Sequence, residues 1–155
     1  MKEKIHRLPP EFYIGEVYVA FTICTRSNSI SLINDEIFGN IEKILLQELK
    51  KYNCTAEIYL FMKDHIHMII KGNDEYSNLL NFMKSFKQKS GYFFLKDYPG
   101  IKWQKDFYDH IIRDDEDIKN QVYYILENPT RKNLCEHWKE YKYKGSTINN
   151  FDEWD

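Results

Sequence analysis

The sequence predicts an α+β fold: a split β-α-β arrangement with one antiparallel sheet, helices on one face and a further helix near the C-terminal end. Three observations predict it. Runs of β-branched and aromatic residues alternate with helical stripes in the order β-α-β-β-α-β-α. The connections between them are short and polar. At 155 residues, with 43% hydrophobic content and only 6 Gly and 4 Pro, the chain has the size and composition of one ordered domain over residues 1–155.

Each element follows from its residues. Met1 to Gly15 reads as an extended arm, because Pro9-Pro10 disfavours regular structure. Glu16 to Thr25 alternates and is the first strand. Asn34 or Asp35 can cap a helix over Glu36 to Tyr52, where Ile37, Ile41, Ile44, Leu45 and Leu49 form one apolar stripe. Thr55 to Met62 is the second strand, Lys63-Asp64 a tight link, and Gly72-Asn73-Asp74 ends the third strand. Ser77 is placed to cap a helix running to about Leu95, with Leu79, Leu80, Met83 and Phe86 on its core side. Tyr98-Pro99-Gly100 is a turn and Phe107 to Ile112 the last strand. Asp114 or Asp115 can cap a helix to about Glu127, and Pro129 ends it. The tail over residues 131–155 is basic and aromatic.

Chemistry concentrates on the third strand, Asp64-His65-Ile66-His67-Met68. Residues i and i+2 of a strand share a face, so His65 and His67 point together while Ile66 and Met68 enter the core. A single histidine beside a core strand is usually just hydrogen-bonded, but a pair on one face is half of a metal site. The sheet face opposite the two helices is expected to be free for it. On the last helix, Ile118, Val122, Ile125 and Leu126 form a packing stripe, while Asp117, Gln121, Tyr124 and Asn128 form a separate polar one. Tyr123 lies between them as a packing aromatic. By spacing alone, Tyr124 reads as an amphipathic surface tyrosine.

The net charge of −2 does not announce a nucleic-acid binder, but its distribution is uneven. Lysines 84, 87, 89, 96, 102 and 105 face a single acid, Asp97, and a second basic block runs from Arg131 to Lys144. Lys84, Lys87 and Gln88 share a helix face that could follow a phosphate backbone or could simply be solvated. Three widely spaced cysteines give neither zinc spacing nor a disulfide framework, which points to the cytoplasm. No apolar run is long enough to span a membrane.

His65-Ile66-His67 resembles the histidine-hydrophobic-histidine motif of the HUH single-tyrosine transposases of insertion sequences, closest to their repeat-associated tyrosine transposase branch. Met83-Lys84-Ser85-Phe86-Lys87, the run from Trp103 to Asp114, and Tyr124-Ile125-Leu126-Glu127-Asn128-Pro129 resemble family segments in the family's order, over roughly residues 13–146. Lys63-Asp64 departs from the family's frequent Pro-Asn, and Leu134-Cys135 from a commoner Gly-Leu-Val-like run. The resemblance implies a ferredoxin-like fold with a C-terminal catalytic helix, and cleavage and rejoining of single-stranded or hairpin DNA through a 5′-phosphotyrosine. It implies a divalent ion (Mg or Mn) on His65, His67 and Asn128, with Tyr124 as nucleophile. Lys84, Lys87, Lys105, Arg131 and Lys132 are then candidates to hold DNA, in a monomer or a homodimer. A non-catalytic single-strand binder of the same fold, and a small metal-dependent hydrolase, are the competing expectations.

Overall fold

The computed structural model describes residues 7–27, 29–113 and 116–155. Five strands, β1 (Tyr18–Cys24), β2 (Cys54–Phe61), β3 (His65–Gly72), β4 (Tyr108–Ile112) and β5 (Lys144–Gly145), build one antiparallel sheet in the order β4-β1-β3-β2-β5. With α1 (Asp35–Lys51) and α2 (Leu79–Asp97), the first four strands trace the ferredoxin-like split plan. Among the described residues two further α-helical segments follow β4, α3 (Ile118–Leu126) and α4 (Asn128–Arg131), and then two 3₁₀ turns, Trp138–Glu140 and Phe151–Glu153.

The main core lies between the sheet and α1 and α2. Ile37, Ile41, Leu45 and Leu49 of α1, and Leu79, Phe82, Met83 and Phe86 of α2, pack on Val19, Phe21, Ile23, Ile66, Met68 and Ile70. Asn34 caps α1, its side chain accepting from Glu36 N and Ile37 N at 2.9 and 3.0 Å. The cap of α2 is Asn78, which accepts from Asn81 N, rather than Ser77. Ser77 turns inward instead: its buried hydroxyl donates to the Asn53 carbonyl at 2.6 Å and accepts from Asn73 N at 3.0 Å, tying two loops together. Pro9-Pro10 does not hold the arm extended. Pro10 opens a 3₁₀ turn (Pro10–Tyr13), where its missing N–H is not needed, and Tyr13 is fully buried.

The opposite sheet face is not free. A register shift in β2 between Ala56 and Ile58 lets Ala56 face the main core while Ile58 and Leu60 face away from it. There they meet Ile69, Val122, Ile125 and Leu126 of α3, and Trp138, Tyr141 and Phe151 of the tail, in a second core. The expected surface is therefore mostly covered, because the tail folds back and adds β5 beside β2. A cleft beside His67 stays open on this face.

The expected caps of the last helix, Asp114 and Asp115, lie outside the described residues. Asp117 caps α3, accepting from Asn120 N at 3.2 Å. Pro129 does not end the helical path. It sits in the first turn of α4, where a proline is tolerated, and Arg131 N donates to the Glu127 carbonyl at 3.0 Å.

Candidate functional site

β3 presents His65 and His67 on that face, with Ile66 and Met68 buried behind them. The rings meet edge to face, and their Nε2 atoms stand 3.1 Å apart. Each Nδ1 has a partner. Asp64 Oδ1 lies 2.7 Å from His65 Nδ1, and Thr22, opposite His67 on β1, places its hydroxyl 3.0 Å from His67 Nδ1. The Asp64 carboxylate accepts only, so the neutral His65 proton belongs on Nδ1 and its Nε2 is a bare lone pair. Burial, followed by the nearby His65 and Arg131, pushes His67 down to about 4, so it is neutral at pH 7. A proton shared between the two Nε2 atoms, or a cation bound to both, satisfies this pair.

The spacing tests whether an ion fits. Two ligands about 2.1 Å from one ion at a right angle lie about 3.0 Å apart, close to what the imidazoles show. Each is held from behind by an oxygen, the usual support of a metal-bound histidine. Among the described residues no group of three or more His, Cys, Asp or Glu gathers here. The side-chain amides of Gln121, which donates to Glu116 at 3.0 Å, and of Asn128 offer further oxygen donors in the cleft beside His67.

His67, Gln121, Tyr124 and Asn128 line one cleft of about 350 Å³, with Arg131 on its border. All belong to one chain. Val122, Ile125 and Leu126 hold α3 on the sheet, so Gln121, Tyr124 and Asn128 of its polar stripe border the cleft that His67 lines. Tyr124 is 67% exposed at the cleft edge. Asn128 is 8% exposed; its main-chain carbonyl accepts from Lys132 N, and its amide makes no hydrogen bond to the described residues. It is not acting as a side-chain cap. Tyr123 packs edge-on against Trp138 and tilts over Trp154, with its hydroxyl 3.4 Å from the Asp155 carbonyl. Asp117 caps α3 and does not line the cleft.

A larger cleft of about 640 Å³ opens between α2 and the segment around residues 99–107. Lys84, Lys87 and Lys105 line it, joined by Arg7, Arg26 and Lys102, with Gly91, Trp103 and Phe107 also in the lining. Lys87 donates to the Lys105 carbonyl, and Arg7 is paired with Asp106 and Asp109 at 2.7 Å. Lys132 is exposed and lines neither cleft. Sequence reading had not singled out Thr22, Arg7 or Arg26, and had placed Lys102 only in the basic block. The antiparallel register opposite His67 could have pointed to Thr22, but the cations come from segments far apart in the chain.

A family model described as transposase IS200-like matches residues 15–128. A Haemophilus influenzae protein whose name assigns it to the REP-associated tyrosine transposases is 27% identical over 144 residues, covering 86% of this chain and 81% of that protein. Among solved structures, a REP-associated tyrosine transposase bound to a REP hairpin superposes with a TM-score of 0.74 at 17% identity, covering 93% of this chain and 82% of that one. A Deinococcus radiodurans protein described as a transposase gives 0.54 at 15% identity, covering 83% and 97%.

Proposed function

Because the chain belongs to the IS200-like transposase family, we propose that it cleaves and rejoins single-stranded DNA with Tyr124 as nucleophile, on a substrate that carries a hairpin. One observation carries the reading: Tyr124 and His67 border the same cleft of one chain, so a phosphate there would meet both. The relative bound to a REP hairpin supports the substrate class.

The Tyr124 oxygen attacks the phosphorus, the P–O3′ bond breaks, the phenolic proton leaves, and the departing 3′ oxygen takes up a proton. The product is a 5′-phosphotyrosine and a free 3′-hydroxyl, which can reverse the step without ATP. Ionising an ordinary phenol at pH 7 costs about 4 kcal/mol, so the site must favour negative charge. A divalent ion held by His65, His67 and Asn128 would supply positive charge against the phosphate oxygens. Imidazole donors favour Mn over the harder Mg. Asp64 and Thr22 would orient the two rings, and Tyr124 would act from the cleft it shares with His67. The basic cleft, with Lys84 and Lys102 on its rim, would hold the DNA backbone, while Trp103 and Phe107 offer apolar contact to bases. The protein would act as a monomer or a homodimer. A DNA substrate and three free thiols suit the cytoplasm.

The test is incubation of the protein with end-labelled hairpin oligonucleotides carrying single-stranded flanks, plus Mn or Mg, followed by denaturing electrophoresis and peptide mapping. A denaturant-stable adduct on Tyr124 is expected. Cleavage without an adduct would replace this reading with a hydrolase, and binding without cleavage would leave a single-strand binder.

A further inference from the structure

Arg131 lies seven residues beyond Tyr124, on the helical turn that resumes around Pro129. Its guanidinium carbon stands 4.0 Å from the centre of the Tyr124 ring, and Nη2 donates to the Tyr124 main-chain carbonyl at 2.8 Å. The one guanidinium thus stacks on the ring and is anchored to the main chain of the same residue. It also borders the cleft shared by His67, Gln121 and Asn128. Among the described residues no aromatic ring packs on Tyr124, whose ring is mostly in solvent.

A tyrosine this exposed exchanges rotamers within nanoseconds, and only some of them aim its hydroxyl into the cleft. We propose that Arg131 is the positioning residue of the nucleophile: its stacked guanidinium selects the Tyr124 ring orientation that faces the cleft and keeps a fixed positive charge beside it. The continued helical path contributes directly, since residues seven apart share a helix face. Pro129 lacks the N–H that a continuous helix would direct at the Ile125 carbonyl, and the turn beyond it presents Arg131 back along the Tyr124 stripe. A planar, always charged group suits stacking and a directed hydrogen bond together, which an ammonium does not. This assignment rests on Tyr124 being the nucleophile, and it differs from a simple role in binding DNA phosphates.

Adduct formation is measured in single turnover at saturating oligonucleotide, beside the dissociation constant from fluorescence anisotropy and the melting temperature. Arg131→Ala should slow the reaction about 10-fold or more, within the range a misplaced reacting group loses, with the dissociation constant changed by less. Arg131→Lys, which keeps the charge without the planar face, should be slowed at an unchanged melting temperature. Added guanidinium ion should restore part of the Arg131→Ala rate and none of the Tyr124→Phe rate. In the free protein, the Arg131 Hδ and Hε resonances should be displaced upfield by the Tyr124 ring and return on Tyr124→Leu. A parental rate at saturating DNA in either Arg131 variant, or Arg131 resonances unaffected by the ring, would overturn the proposal. An adduct missing from the parent, or mapped elsewhere than Tyr124, would instead overturn the nucleophile, while the resonance test still reads the stacking.

Discussion

Thr22 and His67 are cross-strand partners whose side chains meet at 3.0 Å, hydroxyl to Nδ1, on the half-open face of the sheet. That hydrogen bond orients the imidazole and leaves Nε2 for whatever His65 shares with it. Thr22→Val keeps the shape and removes the hydroxyl. Mn affinity measured by calorimetry should fall about 10- to 100-fold, the usual cost of losing support behind a metal-bound histidine. Stability should drop by no more than about 1–2 kcal/mol. Unchanged Mn affinity would show that the hydroxyl does not orient His67.

Tyr124→Phe should abolish the covalent adduct, whereas Tyr123→Phe should keep most of it. Phe at 123 preserves the ring against Trp138 and Trp154 and loses only a long hydrogen bond to Asp155. Equal cleavage by both variants would mean the nucleophile lies elsewhere.

The Asn128 amide makes no hydrogen bond to the described residues and borders the cleft beside His67. Asn128→Ala should therefore raise the Mn concentration for half-maximal cleavage, with excess metal restoring part of the rate and thermal stability little changed. His65→Ala should act in the same direction more severely, since an imidazole is the stronger ligand. A metal titration that overlays the parent would remove Asn128 from the ligand set.

Lys84→Ala with Lys87→Ala should weaken single-strand binding and lower the slope of log affinity against log salt, by up to about 0.7 for each phosphate no longer neutralised. Lys87 also ties α2 to the Lys105 carbonyl, so Lys84→Ala alone separates charge from loop anchoring. An identical salt slope would make these lysines a solvated face.

Glu48, 1% exposed, joins α1 to α2 through Ser85 and through Lys89 at 2.7 Å. Burial acts to raise its pKa, but the hydrogen bonds from Lys89 and Ser85 and the lysine charge outweigh it and hold the carboxyl below its ordinary value. A depressed carboxylate contributes stability above the unfolded pKa of about 4.3, and that contribution is lost as pH falls through the folded value. Lys89→Met should cost about 1–3 kcal/mol in urea unfolding at pH 7. The gap from the parent should narrow on acidification toward about pH 3. A gap independent of pH would assign the loss to packing alone.

The four long strands, α1 and α2 were legible because each carries its own period, and Asn34 announced its cap. The histidine pair and the polar stripe of α3 were legible for the same reason: i, i+2 on a strand and i, i+4, i+7 on a helix are geometric facts of the sequence. What stayed hidden depends on segments distant along the chain meeting in space. β5 is two residues long and exists because the tail reaches β2. The inward turn of Ser77 is set by the Asn53 and Asn73 loops, which no local propensity encodes. The shift beside Glu57, which directs Ile58 and Leu60 to the second core, sits in a strand whose composition gives no warning of it. The basic cleft takes four lysines from the run the sequence shows, but Arg7 and Arg26 join them only on folding.

The second core makes the carrier of Tyr124 a fixed post. Undocking α3 would expose Val122, Ile125 and Leu126, at roughly 1.5–3 kcal/mol each before the conformational entropy that undocking regains, and this burial favours the docked helix. A strand end tethered to Tyr124 would therefore stay where it was cut. Choice of rejoining partner would pass to the nucleic acid, through the reach and stiffness of its unpaired segments, and the protein would act as a stationary anvil to which loose 3′ ends must come.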